Sequence, residues 1–332
     1  MPSTAEAFEP RRTTCPWCRS PDLGVRLTTT DLLQHKPGRF VLDECRACGH
    51  VFQNPQLSPA GLDFYYDQFY DGIGGELMTQ LFGTAGPDNA RRIAAVDAAA
   101  EATGTRVQRW LDVGTGHGHF PLAARARWPD VRFEGLDLSE SVDDAARRGW
   151  VDVAHRGLFP ELAPVLGGFD VVSMHHYLEH TRDPVEEIDA VAKLLDGGAL
   201  LEVEVPDPEC RMSRLLGRWW LPWLQPQHLH FVTAANLVAA LEERNFEIVS
   251  VQHDHQATEL TGALALLLED VLPSSQFPWR PPGGPARHLA RGALMTASLP
   301  AFAVAAGLDQ LVARALTGDG PANTYRVVAR KL

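Results

Sequence analysis

The sequence predicts an α/β fold: an open, mostly parallel sheet covered by helices, with a small cysteine-bearing module ahead of it and a helical insertion before the last strand. Three observations carry that prediction. The stretch Trp110-Leu111-Asp112-Val113-Gly114-Thr115-Gly116-His117-Gly118-His119-Phe120 reads as a buried strand, a turn with glycine at alternate positions, and the start of a helix. A second apolar run follows over residues 131–136 and ends in Asp137. Two Cys-x-x-Cys pairs, Cys15/Cys18 and Cys45/Cys48, precede both.

Strand, glycine turn and helix together bring backbone N–H groups close to a ligand. An acid at the tip of the second strand can take both hydroxyls of a ribose. Nicotinamide and flavin enzymes use a similar turn, but their fingerprint wants Gly or Ala three residues after its second glycine. Here that place is His119. Asp112 stands just before the first glycine, where it could reach an amino group through a turn N–H or a water. A tight turn with no ligand is the bland alternative, and three glycines are costly to order for that alone.

The length of 332 residues allows one large α/β domain plus a small module. A net charge of −12 with no basic stripe argues against a nucleic-acid partner. Residues 1–12 are polar, and no secretory signal is expected there. The longest apolar run, residues 293–308, is short and broken by Pro300, so no spanning helix is expected. Four of the five cysteines lie in the Cys-x-x-Cys pairs, which suggests metal in a reducing, cytoplasmic setting rather than disulfides.

In chain order, each Cys-x-x-Cys folds as a turn that aims two thiolates at one ion. Cys15, Cys18, Cys45 and Cys48 then complete a tetrahedral shell for Zn2+. A closed shell has no position for water, so the role is structural; a redox dithiol is the alternative. His50 reads as a surface neighbour, and a hairpin is expected over residues 23–42. The division that follows is a zinc-binding module over 1–57, an aromatic linker over 58–88, a main domain over 89–255 and 322–332, and a helical insertion over 256–321. The run Phe64-Tyr65-Tyr66-Asp67-Gln68-Phe69-Tyr70 suits packing of the module onto the main domain. A helix over 89–102 leads into the central strand.

Ser139 is expected to cap a helix running to Arg148. A weak third strand follows over 150–154 and a buried fourth over 169–174. The fourth runs into His175-His176-Tyr177-Leu178-Glu179-His180, at the carboxyl end where open sheets bind ligands. Asp183-Pro184 opens a helix to Leu195, and residues 199–205 are strand five. Trp219, Trp220 and Trp223 then read as a pocket wall in preference to a buried wedge. Thr233 caps a helix over 234–244 that ends at Asn245, a residue tolerant of the left-handed turn. Strands six and seven are placed at 246–252 and 323–330. Between them lie apolar helices near 260–271 and 294–316, read as a cap over the substrate side or a homodimer surface. Peripheral membrane contact is the alternative. His176 to His180 also spells H-x-x-E-H, a zinc-peptidase pattern. That pattern needs one continuous helix, and the preceding strand and the new start at Asp183-Pro184 argue against it.

Asp112-x-Gly114-x-Gly116-x-Gly118 with Asp137 resembles the first two motifs of the class I S-adenosylmethionine-dependent methyltransferases. The buried strand before Leu178-Glu179-His180 and Asp183-Pro184, and the run His228-x-His230-Phe231, match further segments of that family. The cysteines resemble a zinc-binding module found in front of some bacterial methyltransferases acting on deoxysugars and natural products. The resemblance implies a Rossmann-like, seven-stranded sheet with an antiparallel edge strand. It implies S-adenosyl-L-methionine held by Asp112, Gly114, Thr115, Gly116, Asp137, Leu138, Leu158, His175 and Tyr70, with the aromatic run as a lid hinged at Gly72, Gly74 and Gly75. The methyl would pass to an O, N or C nucleophile of a small-molecule acceptor: a secondary metabolite, a sugar or a lipid-linked compound. His175, His180, His228 and His230 would face that acceptor, one serving as base if the nucleophile arrives protonated; a structural role is the alternative for each. Related enzymes often place an acid after the third strand for adenine. This chain has Ala154-His155-Arg156-Gly157-Leu158-Phe159 there, which leaves adenine to backbone groups and to Leu158 or Phe159, with Asp152 the weaker choice. A cofactor-dependent cyclase and a non-catalytic adaptor are the competing readings. A nicotinamide dehydrogenase is disfavoured by His119 and Asp112.

Overall fold

The computed structural model describes residues 4–66, 86–254, 258–273, 283–315 and 322–332. Among them the strands, in chain order, are β1 (Leu23–Thr29), β2 (Phe40–Cys45), β3 (Val51–Gln53), β4 (Arg109–Val113), β5 (Arg132–Asp137), β6 (Val153–Arg156), β7 (Val171–His175), β8 (Leu200–Pro206), β9 (His230–Phe231), β10 (Phe246–Asp254) and β11 (Thr324–Lys331). The chain divides into two compact units. One comprises Met1–Ile73, Pro206–Phe231 and His253–Thr324; the other comprises Gly74–Val205, Val232–Gln252 and Tyr325–Leu332.

The first unit is built on a sheet of order β1-β2-β3-β9, antiparallel throughout. The expected hairpin is β1–β2, with Leu23 opposite Cys45. Its fourth strand departs from the sequence-based division: Phe231 and His230 pair with Val51 and Phe52 of β3. Trp220 and Trp223 are buried against Leu42, Val51 and Phe231. These tryptophans therefore fill a core, and the pocket-wall expectation is corrected: the small sheet is too thin to bury its own face without them.

The second unit holds the large sheet, of order β10-β11-β8-β7-β4-β5-β6. β4 pairs in parallel with β5 and β7, β5 with β6, and β7 with β8. The N–H of Gly198 donates to Lys331 O and that of Lys331 to Ala199 O, so the end of β11 lies beside the beginning of β8 and the two run in opposite senses. This is the seven-stranded, mostly parallel, Rossmann-like sheet. All seven residues of β8 are buried, as expected of a strand covered on both faces. Trp110 of β4 centres the core, packed among Val96, Ala99, Phe120, Phe133, Val171, Leu200 and Val328.

Several element ends moved for identifiable reasons. The helix expected from Ser139 begins at Ser141, because the N–H and hydroxyl of Ser139 both donate to Asp137 Oδ1 at 2.8 Å. The third strand falls at Val153–Arg156. Asp183 caps Pro184–Leu194 by accepting from the N–H groups of Val185 and Glu186, Thr233 caps Ala234–Glu242, and Asn245 is left-handed with φ 60°. In the insertion, helices Glu259–Val271 and Pro285–Ala315 appear. The second runs unbroken through Pro300 for 31 residues. It is long and apolar enough to cross a membrane, contrary to the expectation from the apolar run alone.

Candidate functional site

The glycine turn is pinned against β5. The N–H groups of Gly114 and Thr115 both donate to Leu136 O, at 2.8 and 3.1 Å. Gly114, Gly116 and Gly118 have φ of 74°, 52° and 78°, the left-handed region that favours glycine. A Cβ at Gly114 would stand 2.7 Å from Tyr177, and one at Gly118 would stand 2.9 Å from Ala145. Among the described residues, nothing lies within 4 Å of a Cβ at Gly116. The outer glycines thus serve packing, while Gly116 presents bare backbone to open space. The close helix approach that a dinucleotide turn draws from its third glycine is made here one residue before His119.

Asp137 closes the turn from the side. Its Oδ2 accepts from Gly116 N–H at 2.9 Å. Beside it, Leu138 is 64% and Leu158 47% exposed. They follow the tips of β5 and β6, which are in register at Asp137 and Arg156. A carboxylate flanked by two exposed apolar side chains suits a diol joined to a flat base. Phe159 is fully buried, and Asp152 is fastened inward by Phe133 N–H and Arg125 at 2.8 and 2.7 Å. Neither extends this surface. Thr115 packs its methyl toward Gly135.

Behind the turn lies a buried ionic cluster. Asp112 accepts from Ser173 Oγ at 2.6 Å, and Ser173 accepts from Trp110 Nε1 at 2.8 Å. Burial pushes the Asp112 carboxyl up to about 6 against the pull of the Ser173 hydroxyl. His175 Nε2 meets Glu202 Oε2 at 2.9 Å. Burial drives His175 well below and Glu202 well above their ordinary ranges, so the ring is neutral. Glu204 accepts from Arg92 and Arg326. Burial opposes its charge, but Arg92, His176 and Arg326 outweigh it and hold it well below the usual carboxylate range. His176 places Nδ1 3.0 Å from Glu179 and Nε2 3.4 Å from Glu204. Burial works against its charge as well, yet these two carboxylates lift it to about 9.

The cluster therefore sets four carboxylates, Asp112, Glu179, Glu202 and Glu204, against three cationic groups, Arg92, Arg326 and His176. Sequence reasoning missed Arg92, Glu202, Glu204 and Arg326. The signal was present: charges at alternate positions of the apolar strand Leu200-Leu201-Glu202-Val203-Glu204-Val205 have no reason to be buried unless paired.

A family model described as a methyltransferase domain matches residues 83–251, which is 169 of the 332 residues. The chain belongs to that family. It is an S-adenosylmethionine-dependent methyltransferase. It is similar to the ubiquinone biosynthesis O-methyltransferase of Pseudomonas aeruginosa, at 27% identity over 49% of this chain and 73% of that protein. Among solved structures it is similar to a SAM-dependent methyltransferase from Archaeoglobus fulgidus (17% identity, 72% of this chain and 94% of that one, TM-score 0.43). It is also similar to the [4+2]-cyclase SpnF (21% identity, 72% and 80%, TM-score 0.42).

The histidines of this methyltransferase have separate settings. His180 ends a short 3₁₀ turn, Leu178–His180, after β7. His176 lies outside that turn with φ 50°, so His176 and His180 share no continuous helix and the peptidase reading falls. The sequence grouped His228 and His230 with His175 and His180 around one acceptor. His228 and His230 belong to the unit of the small sheet, and His175 and His180 to the other. His228 Nδ1 lies 2.7 Å from Pro222 O, and His230 Nδ1 lies 3.1 Å from His50 Nε2, the latter two rings stacked. His50 is thus fully buried, where the sequence suggested a surface neighbour. Tyr70, Gly72, Gly74 and Gly75 fall outside the described residues. Of the aromatic run, Tyr65 donates to Pro37 O and Tyr66 to Gln227 O, both contacts within the first unit.

The four cysteines converge in the methyltransferase's first unit. Cys15 Sγ lies 3.8 Å from Cys48 Sγ, Cys18 Sγ lies 3.5 Å from Cys45 Sγ, and all four sulfurs fall within 4.8 Å of one another. These separations exceed a disulfide bond. They approach the edge of a zinc–thiolate tetrahedron, about 3.8 Å for Zn–S bonds of about 2.3 Å. Each Cys-x-x-Cys closes as the same knuckle. Arg19 and Gly49, at φ 65° and 75°, return their N–H groups to Cys15 O and Cys45 O at 3.0 and 2.8 Å.

Proposed function

We propose that this methyltransferase moves the sulfonium methyl of S-adenosylmethionine to a hydroxyl oxygen of a small-molecule acceptor, and that Cys15, Cys18, Cys45 and Cys48 hold a structural zinc ion. The observation that carries the reading is the bare backbone of Gly116 beside Asp137. The Asp112 carboxylate behind the turn suits a donor bearing a positive sulfur. Oxygen is favoured over nitrogen and carbon by the likeness to an O-methyltransferase.

In this reading Gly114, Thr115 and Gly116 form the floor of the cofactor cradle, Asp137 takes the ribose hydroxyls, and Leu138 and Leu158 flank the base. Asp112 and the Nδ1 of His175 face the charged end. The bound donor supplies an already activated methyl, so the chain's own work is alignment and exclusion of water. A base is needed only if the hydroxyl arrives protonated, and His175 and His180 are the candidates for it.

Calorimetry with S-adenosylhomocysteine tests the cradle: one site per chain is expected, and no binding to folded protein would sink the proposal. Incubation with the donor and a panel of phenols, sugars and lipid-linked alcohols tests the chemistry. Products heavier by one methyl group support transfer, whereas products of unchanged mass would favour a cyclase.

A further inference from the structure

The helix Pro285–Ala315 is held to the rest of its unit by one narrow stripe. Half-buried Arg291 and buried Ser298, Ala305 and Asp309, spaced by seven, seven and four residues, lie on that stripe. Asp309 accepts from the N–H groups of Leu260 and Thr261 at 2.8 and 3.0 Å and so fastens the start of helix Glu259–Val271. Much of the rest of the surface is apolar and exposed. Leu289 is 77%, Leu299 62%, Val304 63% and Leu311 60% exposed. Only 6% of the helix's most apolar stretch is buried, which sets it apart from a core helix. Length does not decide between crossing a bilayer and lying on it, since the helix is long and apolar enough to cross one; the buried stripe decides it. A helix whose one side is packed on protein through Ser298, Ala305 and Asp309, with apolar side chains exposed on the other, is built to lie in an interface.

Charge identifies what it lies on. The chain carries a net charge of −12. These two helices nevertheless leave no acid uncompensated at their surface. Glu259 and Asp309 are buried, Glu269 pairs with Arg291, and Asp270 pairs with Arg218. Arg287 and His288 stand exposed at the head of the long helix. We propose that Pro285–Ala315 is a membrane-surface helix that lays the face bearing Leu289, Val304 and Leu311 into an anionic bilayer. The proposal is independent of the cofactor reading.

Co-sedimentation of the full chain with vesicles tests it. Partition onto phosphatidylcholine vesicles containing about 30% phosphatidylglycerol is expected to exceed that onto phosphatidylcholine alone by about tenfold, and to fall with salt. The variant carrying Leu289→Glu, Val304→Glu and Leu311→Glu should lose at least about tenfold in partition while keeping its thermal midpoint, since all three side chains are solvent-exposed. Should that variant fold poorly, Arg287→Glu with His288→Glu changes no apolar contact and should abolish the preference for the anionic lipid. Wild-type protein remaining in the supernatant with both vesicles would overturn the proposal, as would unchanged partition of either variant. A lipid-free dimer that the triple variant dissolves would assign the face to a second copy and overturn it equally.

Discussion

His175 and Asp112 confront each other across 3.7 Å, Nδ1 to Oδ1, and among the described residues no hydrogen bond satisfies that nitrogen. They stand at the carboxyl ends of β7 and β4, neighbours in register at Met174 and Val113. Buried polar atoms are normally satisfied, so an open pair at this edge reads as a place kept for a ligand group. The pair joins the glycine turn to the ionic cluster, because His175 leans on Glu202 and Asp112 on Ser173.

The first expectation concerns pH. Burial raises the Asp112 carboxyl to about 6, and a cationic donor favours its ionised form. Affinity for S-adenosylmethionine should therefore weaken about tenfold between about pH 7 and about pH 5. S-adenosylhomocysteine, without the sulfonium charge, should change less. Titration calorimetry across that range checks this, with Asp112→Asn expected to flatten the profile. A flat wild-type profile would remove Asp112 from the role.

Asp137→Asn isolates the ribose contact. The carboxylate also accepts from Gly116 and Ser139, so the loss falls on binding and on the shape of the turn together. Hydrogen bonds to a charged group contribute about 1.5–3 kcal/mol, which corresponds to a loss of roughly tenfold to 100-fold in S-adenosylhomocysteine affinity. Wild-type affinity in the variant would place the diol elsewhere.

Two neighbouring glutamates of β8 should behave in opposite ways. Glu204→Gln strips Arg92 and Arg326 of a shared buried partner and should cost about 3 kcal/mol. Glu202 is already driven toward its protonated form by burial, so Glu202→Gln should change stability by less than about 1 kcal/mol. Denaturant midpoints distinguish the two, and equal losses would show that the charge assignment in the cluster is wrong.

Much of this was legible in the sequence because parallel strands covered on both faces leave continuous apolar runs, as in residues 169–174 and 199–205, punctuated by glycine and capping residues. Asp183 and Thr233 cap as their type requires. What escaped was non-local. β9 is two residues long and pairs with a strand some 180 positions earlier, and no periodicity announces such a partner. Trp220 and Trp223 look alike from the sequence whether they line a pocket or fill a core; only the thin small sheet beside them decides it. Ser139 has the composition of a cap but was claimed by Asp137, two residues away. For the cofactor cradle, the turn and its acid were visible, whereas the pairing of Arg92 with Glu204 depends on where a preceding helix lands on the sheet.

Metal removal probes the first unit. If one zinc ion is held by Cys15, Cys18, Cys45 and Cys48, elemental analysis should find one per chain, and Cys45→Ser should abolish it. Chelation should lower the thermal midpoint, because the ion's binding energy is folding energy for so small a sheet. An unchanged midpoint in metal-free protein would deny it a structural role.

The last expectation concerns alkaline stability and follows from His176. Its ring rises from 6.5 to about 9 on folding, since Glu179 and Glu204 prevail over burial. A group with a raised folded value binds its proton more tightly when native. Its stabilisation is therefore complete below about pH 6.5 and is lost as pH climbs through about 9. The thermal midpoint of the wild type should fall across that window. His176→Gln should start lower and fall less steeply, and the difference between the two curves cancels the contribution of Glu187, which burial raises to about 8. Parallel curves would mean that His176 is neutral in the native state, and the count of charges in the buried cluster would have to be redrawn.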